Sequence, residues 1–100
     1  MTQPNDNSDS ASASTRRVEV LNRYGIHARP AALIVKAASR CGALVTLEKD
    51  GVKVNAKSIM GLLTLEGSFG SKIVISATGA DADKAVAEIA ELFENKFFEE

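Results

Sequence analysis

One hundred residues, 45% of them apolar, are enough for one globular domain that folds around its own core. A formal net charge of −1 argues against nucleic acid or anionic membrane held by bulk electrostatics. One cysteine excludes an internal disulfide, no Cys/His group has metal-ligand spacing, and no stretch has the apolar length of a membrane span.

Residues Met1 to Thr15 are Ser-, Asn-, Asp- and Ala-rich, with no Lys or Arg and no large apolar side chain after Met1. They lack the basic start and apolar core of a secretory signal and cannot repay the entropy of ordering. A disordered tail is expected over 1–15 and a folded domain over 16–100. Single-cysteine usage points to a reducing cytoplasm.

Val18 and Val20 alternate with Arg17 and Glu19, which predicts a half-buried strand. A short loop with Gly25 follows. From Ala28 to Arg40, Ala31, Ile34, Val35 and Ala38 recur at helical spacing, with Gly42 as a candidate C-terminal cap. Ala43, Val45 and Leu47 alternate as a second strand, Asp50-Gly51 signals a hairpin, and Val52 to Val54 returns as a third. Ser58 is placed to cap a short helix from Ile59 to about Leu65, and Gly67 and Gly70 mark a loop. Ile73, Ile75 and Ala77 share one face of a fourth strand. Asp81 is a candidate cap for a last helix in which Val86, Ile89, Phe93 and Phe97 keep helical spacing. The order β-α-β-β-α-β-α predicts an α+β sandwich, one sheet with helices on one face.

His27, the only histidine, stands where the first strand hands over to the first helix, in Gly25-Ile26-His27-Ala28-Arg29-Pro30-Ala31. It is the one side chain that titrates near neutral pH without perturbation. Pro30 is tolerated only in a first helical turn. With His27 at the N-cap, a phosphoryl group on its ring meets the free N–H groups of that turn, the positive helix end and the Arg29 guanidinium. No neighbour in sequence supplies a second titratable group for acid–base work, so covalent capture is favoured. The competing reading is a surface histidine that caps a helix by chance, and local chemistry leaves the two nearly balanced.

This stretch resembles the phosphohistidine signature of the HPr family, the small phosphocarriers of the bacterial sugar phosphotransferase system. Asn55-Ala56-Lys57-Ser58-Ile59-Met60-Gly61-Leu62-Leu63 looks like that family's regulatory-serine segment, and the likeness runs over about residues 16–98. The resemblance implies an open-faced β-sandwich, a four-stranded antiparallel sheet with three helices on one face. It implies that His27 accepts a phosphoryl group on Nδ1 from phosphorylated enzyme I and donates it to enzyme II A domains. Arg29 and the backbone of Ala28 and Arg29 would stabilise the transferring group. The protein would be a carrier and not an enzyme, without cofactor or metal, monomeric and cytoplasmic. One departure lies in the loop after Leu65, where the family commonly has Gly and this chain has Glu66 followed by Gly67.

Ser58 has a capping reading by residue type and, by resemblance, a regulatory one: phosphorylation by HPr kinase/phosphorylase, placing negative charge on the docking face. Leu33, Ile59, Met60 and Leu63 are expected to form an exposed apolar docking patch, with Lys36, Arg40 and Lys57 around it to meet acidic partners. Cys41 reads as a small packed hydrophobe. Three other readings remain: a nitrogen-related regulatory branch with the same chemistry, a Ser58-phosphorylated corepressor of a catabolite-control transcription factor, and an interaction domain without phosphoryl chemistry.

Overall fold

The computed structural model describes residues 13–99. Four strands form one antiparallel sheet: β1 Ala13–Glu19, β2 Leu44–Lys49, β3 Val52–Asn55 and β4 Lys72–Thr78, in the order β1-β4-β2-β3. Three α-helices, α1 Ala28–Ser39, α2 Ile59–Thr64 and α3 Ala82–Glu94, complete the α+β open sandwich expected from the periodicities.

The inward rows of the two central strands lie in register. Val45 stands beside Ala77 and Leu47 beside Ile75, and all four are buried. Onto this row α1 lays Ala31, Ile34, Ala37 and Ala38, while α3 lays Ala85, Val86, Ile89, Ala90 and Phe93. Each fully buried Ile, Leu or Phe stabilises the fold by about 1.5–3 kcal/mol, so this layer dominates the core. Alanines on both helices let α1 and α3 pack closely against each other, and α3 lies close on the sheet; Cys41 is buried with them as a small hydrophobe.

The hairpin forms as its sequence predicts. Asp50 and Gly51 take φ of 52° and 84°, the left-handed pair of a type I′ turn, and β3 returns against β2.

Two boundaries and two caps differ from expectation. β1 begins at Ala13, and Ala13, Ser14 and Thr15 pair with Thr78, Ala77 and Ser76 on β4. Polar residues thus extend an edge strand because a partner backbone runs alongside; the rest of the expected tail, residues 1–12, lies outside the described residues. α1 ends at Ser39 with Arg40 as a right-handed C-cap (φ −79°), so Gly42 is not a left-handed cap. Asp81 stands at the N-cap of α3, but its backbone is left-handed (φ 65°) and its side chain makes no capping bond. Finally, α3 stops at Glu94, and Phe97 reaches the core from a separate 3-10 turn, Lys96–Phe98.

Candidate functional site

The loop before α1 is fastened by its glycine. Gly25 has φ of 67°, and a Cβ there would lie 2.3 Å from the carbonyl oxygen of Gly67, so no other residue fits without moving both loops. Ile26 donates its N–H to that same oxygen at 2.8 Å and buries its side chain against Gly67. The next residue is His27, the N-cap of α1, with extended backbone (φ −93°, ψ −167°) and no capping bond from its side chain.

The carbonyl of His27 accepts the first helical bond, from Ala31 N–H at 2.9 Å. Pro30 has no N–H to offer, so the opening-turn donors without a partner among the described residues are those of Ala28 and Arg29, at the positive end of the helix. The His27 side chain is 41% exposed and the ring of Tyr24 meets it edge-on at 6.3 Å. Arg23 stacks over the Tyr24 ring at 5.9 Å.

A residue that local sequence did not point to completes the site. Glu99 comes from the segment after α3 and places Oε2 at 3.0 Å and Oε1 at 3.2 Å from His27 Nε2. Arg29 Nη1 donates to Glu99 Oε2 at 3.3 Å and to the carbonyl of Phe97 at 2.7 Å. Asn22, fully buried, donates from Nδ2 to Glu99 Oε1 at 3.1 Å and to the Gly25 carbonyl at 2.8 Å. Burial works to raise the Glu99 carboxyl, but hydrogen bonds from His27 and Asn22, the charge of His27 and a bond from Arg29 outweigh it. The net result lies below the ordinary value. Arg23, Tyr24, His27 and Glu99 line a cavity of about 330 Å³.

His27 thus does have a titratable companion, although none of its sequence neighbours is one. The route to it is the turn Lys96–Phe98, whose three residues have φ of 54°, 53° and 62°. Phe97 is buried there against Phe93, with ring centroids 4.9 Å apart. The apolar character of Phe97 marks this segment in sequence as one that reaches the core, although its helical spacing does not reveal the turn.

Ser58 caps α2: its Oγ accepts from Gly61 N–H at 3.0 Å, and the residue is half-buried. On α2, which packs against α1, Ile59, Met60 and Leu63 are exposed by 42%, 71% and 36%. Leu33 is half-buried and packs against the core, so it belongs less to the exposed patch than its position suggested. Lys36 is exposed on α1. Arg40 is drawn to Glu88 on α3 at 3.2 Å, and Lys57 Nζ to the Cys41 carbonyl at 3.4 Å. Among the described residues, no helix is long and apolar enough to cross a membrane.

Comparison with known proteins shows the family and the fold. Residues 14–95 match the family described as "PTS HPr component phosphorylation site". The chain is 49% identical over 85 residues to the phosphocarrier protein HPr of Treponema pallidum (strain Nichols), covering 85% of this chain and 97% of that protein. Its fold superposes on the crystal structure of HPr-C-His from Thermoanaerobacter tengcongensis with a TM-score of 0.84 at 45% identity, over 87% of this chain and 98% of the other. It is also similar to Crh, a catabolite-repression protein of Bacillus subtilis crystallised as a swapped dimer. That match has a TM-score of 0.67 at 46% identity and covers 80% of this chain and 92% of the other.

Proposed function

The chain belongs to the HPr family of phosphocarriers, and we propose that it carries its phosphoryl group on His27. The group is taken from phosphorylated enzyme I and passed to the A domain of a sugar-specific enzyme II in the cytoplasm. One observation carries the assignment to this residue: His27 is the N-cap of α1, at the helix end where the first-turn N–H groups of Ala28 and Arg29 lie, and its ring shares Glu99 Oε2 with the Arg29 guanidinium.

The chemistry asks for little more. The Nδ1 lone pair attacks phosphorus, a nitrogen–phosphorus bond forms, and the donor's bond to phosphorus breaks. The three phosphoryl oxygens then meet the helix end and Arg29. Arg29 is held by the Phe97 carbonyl and Glu99, so serving the phosphoryl group requires it to share or leave those bonds. The domain turns nothing over by itself; it is the substrate and product of its partners.

Ser58 supports a second level of control. A phosphate on its Oγ sits at the start of α2, two residues from Met60, and places charge on the face where partners would dock through Ile59, Met60, Leu63, Leu33 and Lys36. HPr kinase/phosphorylase would supply it. The similarity to Crh favours a regulatory reading alongside the carrier one, in which the Ser58-phosphorylated protein binds a catabolite-control transcription factor. The carrier acts as a monomer, a state that sedimentation distinguishes from the swapped dimer of that relative.

The test is incubation with enzyme I and phosphoenolpyruvate. Wild type is expected to gain one acid-labile phosphate and His27→Ala none; equal labelling of the two overturns the assignment.

A further inference from the structure

The geometry points to Glu99, braced by Asn22, as the positioning residue that fixes the His27 ring with its Nε2–H on the carboxylate and leaves Nδ1 as the nucleophile. This deepens the reading of His27 as phosphoryl acceptor and rests on it.

The argument begins with donors and acceptors. An ionised carboxylate only accepts, so the ring nitrogen 3.0 Å from Glu99 Oε2 must carry the hydrogen. The carboxyl is held below its ordinary value, and it is therefore ionised throughout the neutral range. In the uncharged ring the other nitrogen, Nδ1, then has the free lone pair. Which nitrogen can attack is thus decided by the residue that faces Nε2.

The carboxylate is itself aimed. Asn22 Nδ2 faces two acceptors, Glu99 Oε1 and the Gly25 carbonyl, so the amide can sit only one way round. In that orientation its Oδ1 is buried with no hydrogen-bond partner among the described residues. An unpaired buried acceptor is costly, and the side chain offsets that cost through its two Nδ2 bonds, one closing the loop on Gly25 and one reaching Glu99. What the amide accomplishes at that cost is to tie Glu99 to the loop that ends in His27. The polar chain therefore runs Gly25–Asn22–Glu99–His27, with Arg29 bonded to the same Oε2 that faces His27 Nε2.

The group-transfer step balances without moving a proton. The neutral ring attacks phosphorus through Nδ1 and keeps its hydrogen on Nε2. The positive charge that develops on the ring is met by the Glu99 carboxylate, and the donor leaves with the electron pair of its broken bond to phosphorus.

Phosphoramidate, a small donor whose phosphorus–nitrogen bond breaks to release ammonia, tests this without any partner protein. NMR of nitrogen-15-labelled protein reads which ring nitrogen carries phosphate. Wild type is expected to be labelled on Nδ1. In Glu99→Ala the Nε2 share should rise about fivefold, the ratio that loss of one part-exposed charge-assisted hydrogen bond gives. Asn22→Ala should move the isomer ratio the same way, and adding it to Glu99→Ala should change nothing further, because both act through one contact. An unchanged isomer ratio in Glu99→Ala overturns the proposal, even if that variant is labelled faster, since the carboxylate would then be only a shield. Additive effects of the two substitutions overturn the role of Asn22. Failure of enzyme I and phosphoenolpyruvate to label the wild type would instead strike at the carrier reading and leave this isomer ratio readable.

Discussion

Glu66 occupies a backbone position with φ of 57°, a left-handed conformation that glycine adopts freely and other L-residues reach at a cost of roughly 1–2 kcal/mol. Its carbonyl is engaged by Lys49 Nζ and Ser68 N–H, both at 2.9 Å, so the loop keeps its shape despite the side chain. Glu66→Gly is therefore expected to stabilise the domain by about 0.5–1 kcal/mol after the extra freedom of glycine in the unfolded chain is deducted. Urea denaturation checks it, and a loss of stability would show that the Glu66 side chain contributes contacts of its own. At Glu99 the corresponding argument concerns pH. Its folded carboxyl lies below the ordinary 4.5, so the ionised form is the one that folding favours. Its contribution is fully present above that ordinary value and is lost as pH falls through the depressed one. The stability gap between wild type and Glu99→Ala should hold steady from neutral pH to about 4.5 and close below it. A gap that persists in acid would mean packing and not charge.

Among the elements, α2 has one job that can be separated from another. Ser58 accepts from Gly61 N–H and so caps the helix. Ser58→Ala should cost about 1 kcal/mol, while Ser58→Asp keeps a capping oxygen and should fold nearly as well as wild type. If the regulatory reading holds, the Asp variant alone should slow phosphorylation of His27 by enzyme I; equal slowing in both variants would reduce Ser58 to a cap. This helix was legible in sequence because its signal is local: a capping residue followed by an apolar run. So was the central sheet, where alternation at Ile73, Ile75 and Ala77 and the Asp50-Gly51 turn fixed strand, face and hairpin. The element that was not legible is the turn Lys96–Phe98. Three consecutive non-glycine residues in left-handed conformation go against every local preference, and helical spacing at Phe97 favoured a longer α3. Tertiary burial of Phe97 decides the matter, since the core is where its ring lies. The site divides the same way. His27, Arg29 and Pro30 are neighbours and could be read together, whereas Glu99 and Asn22 meet across 77 positions of sequence and only the fold joins them.

At the scale of the whole molecule, the sheet order β1-β4-β2-β3 leaves α1 and α2 packed side by side, with the His27 end of α1 and the apolar surface of α2 on one body. A carrier must be recognised by a donor and by an acceptor in turn, so its docking surface has to bind loosely and adapt. An exposed, unbranched methionine suits that demand. Met60 is 71% exposed and therefore contributes little to folding. Met60→Glu should leave stability within about 0.5 kcal/mol of wild type. If Met60 is a contact for both partners, the same change should lower kcat/KM for phosphoryl transfer by roughly five- to tenfold in each direction. Lys36→Glu should behave differently: a rim charge chiefly sets the association rate, so its effect should shrink as salt is raised while that of Met60→Glu persists. Transfer kinetics at low and high ionic strength, with purified donor and acceptor, separate the two. Normal transfer by Met60→Glu in both directions would move the docking surface away from α2, and with it the physical route by which a charge on Ser58 reaches the chemistry at His27.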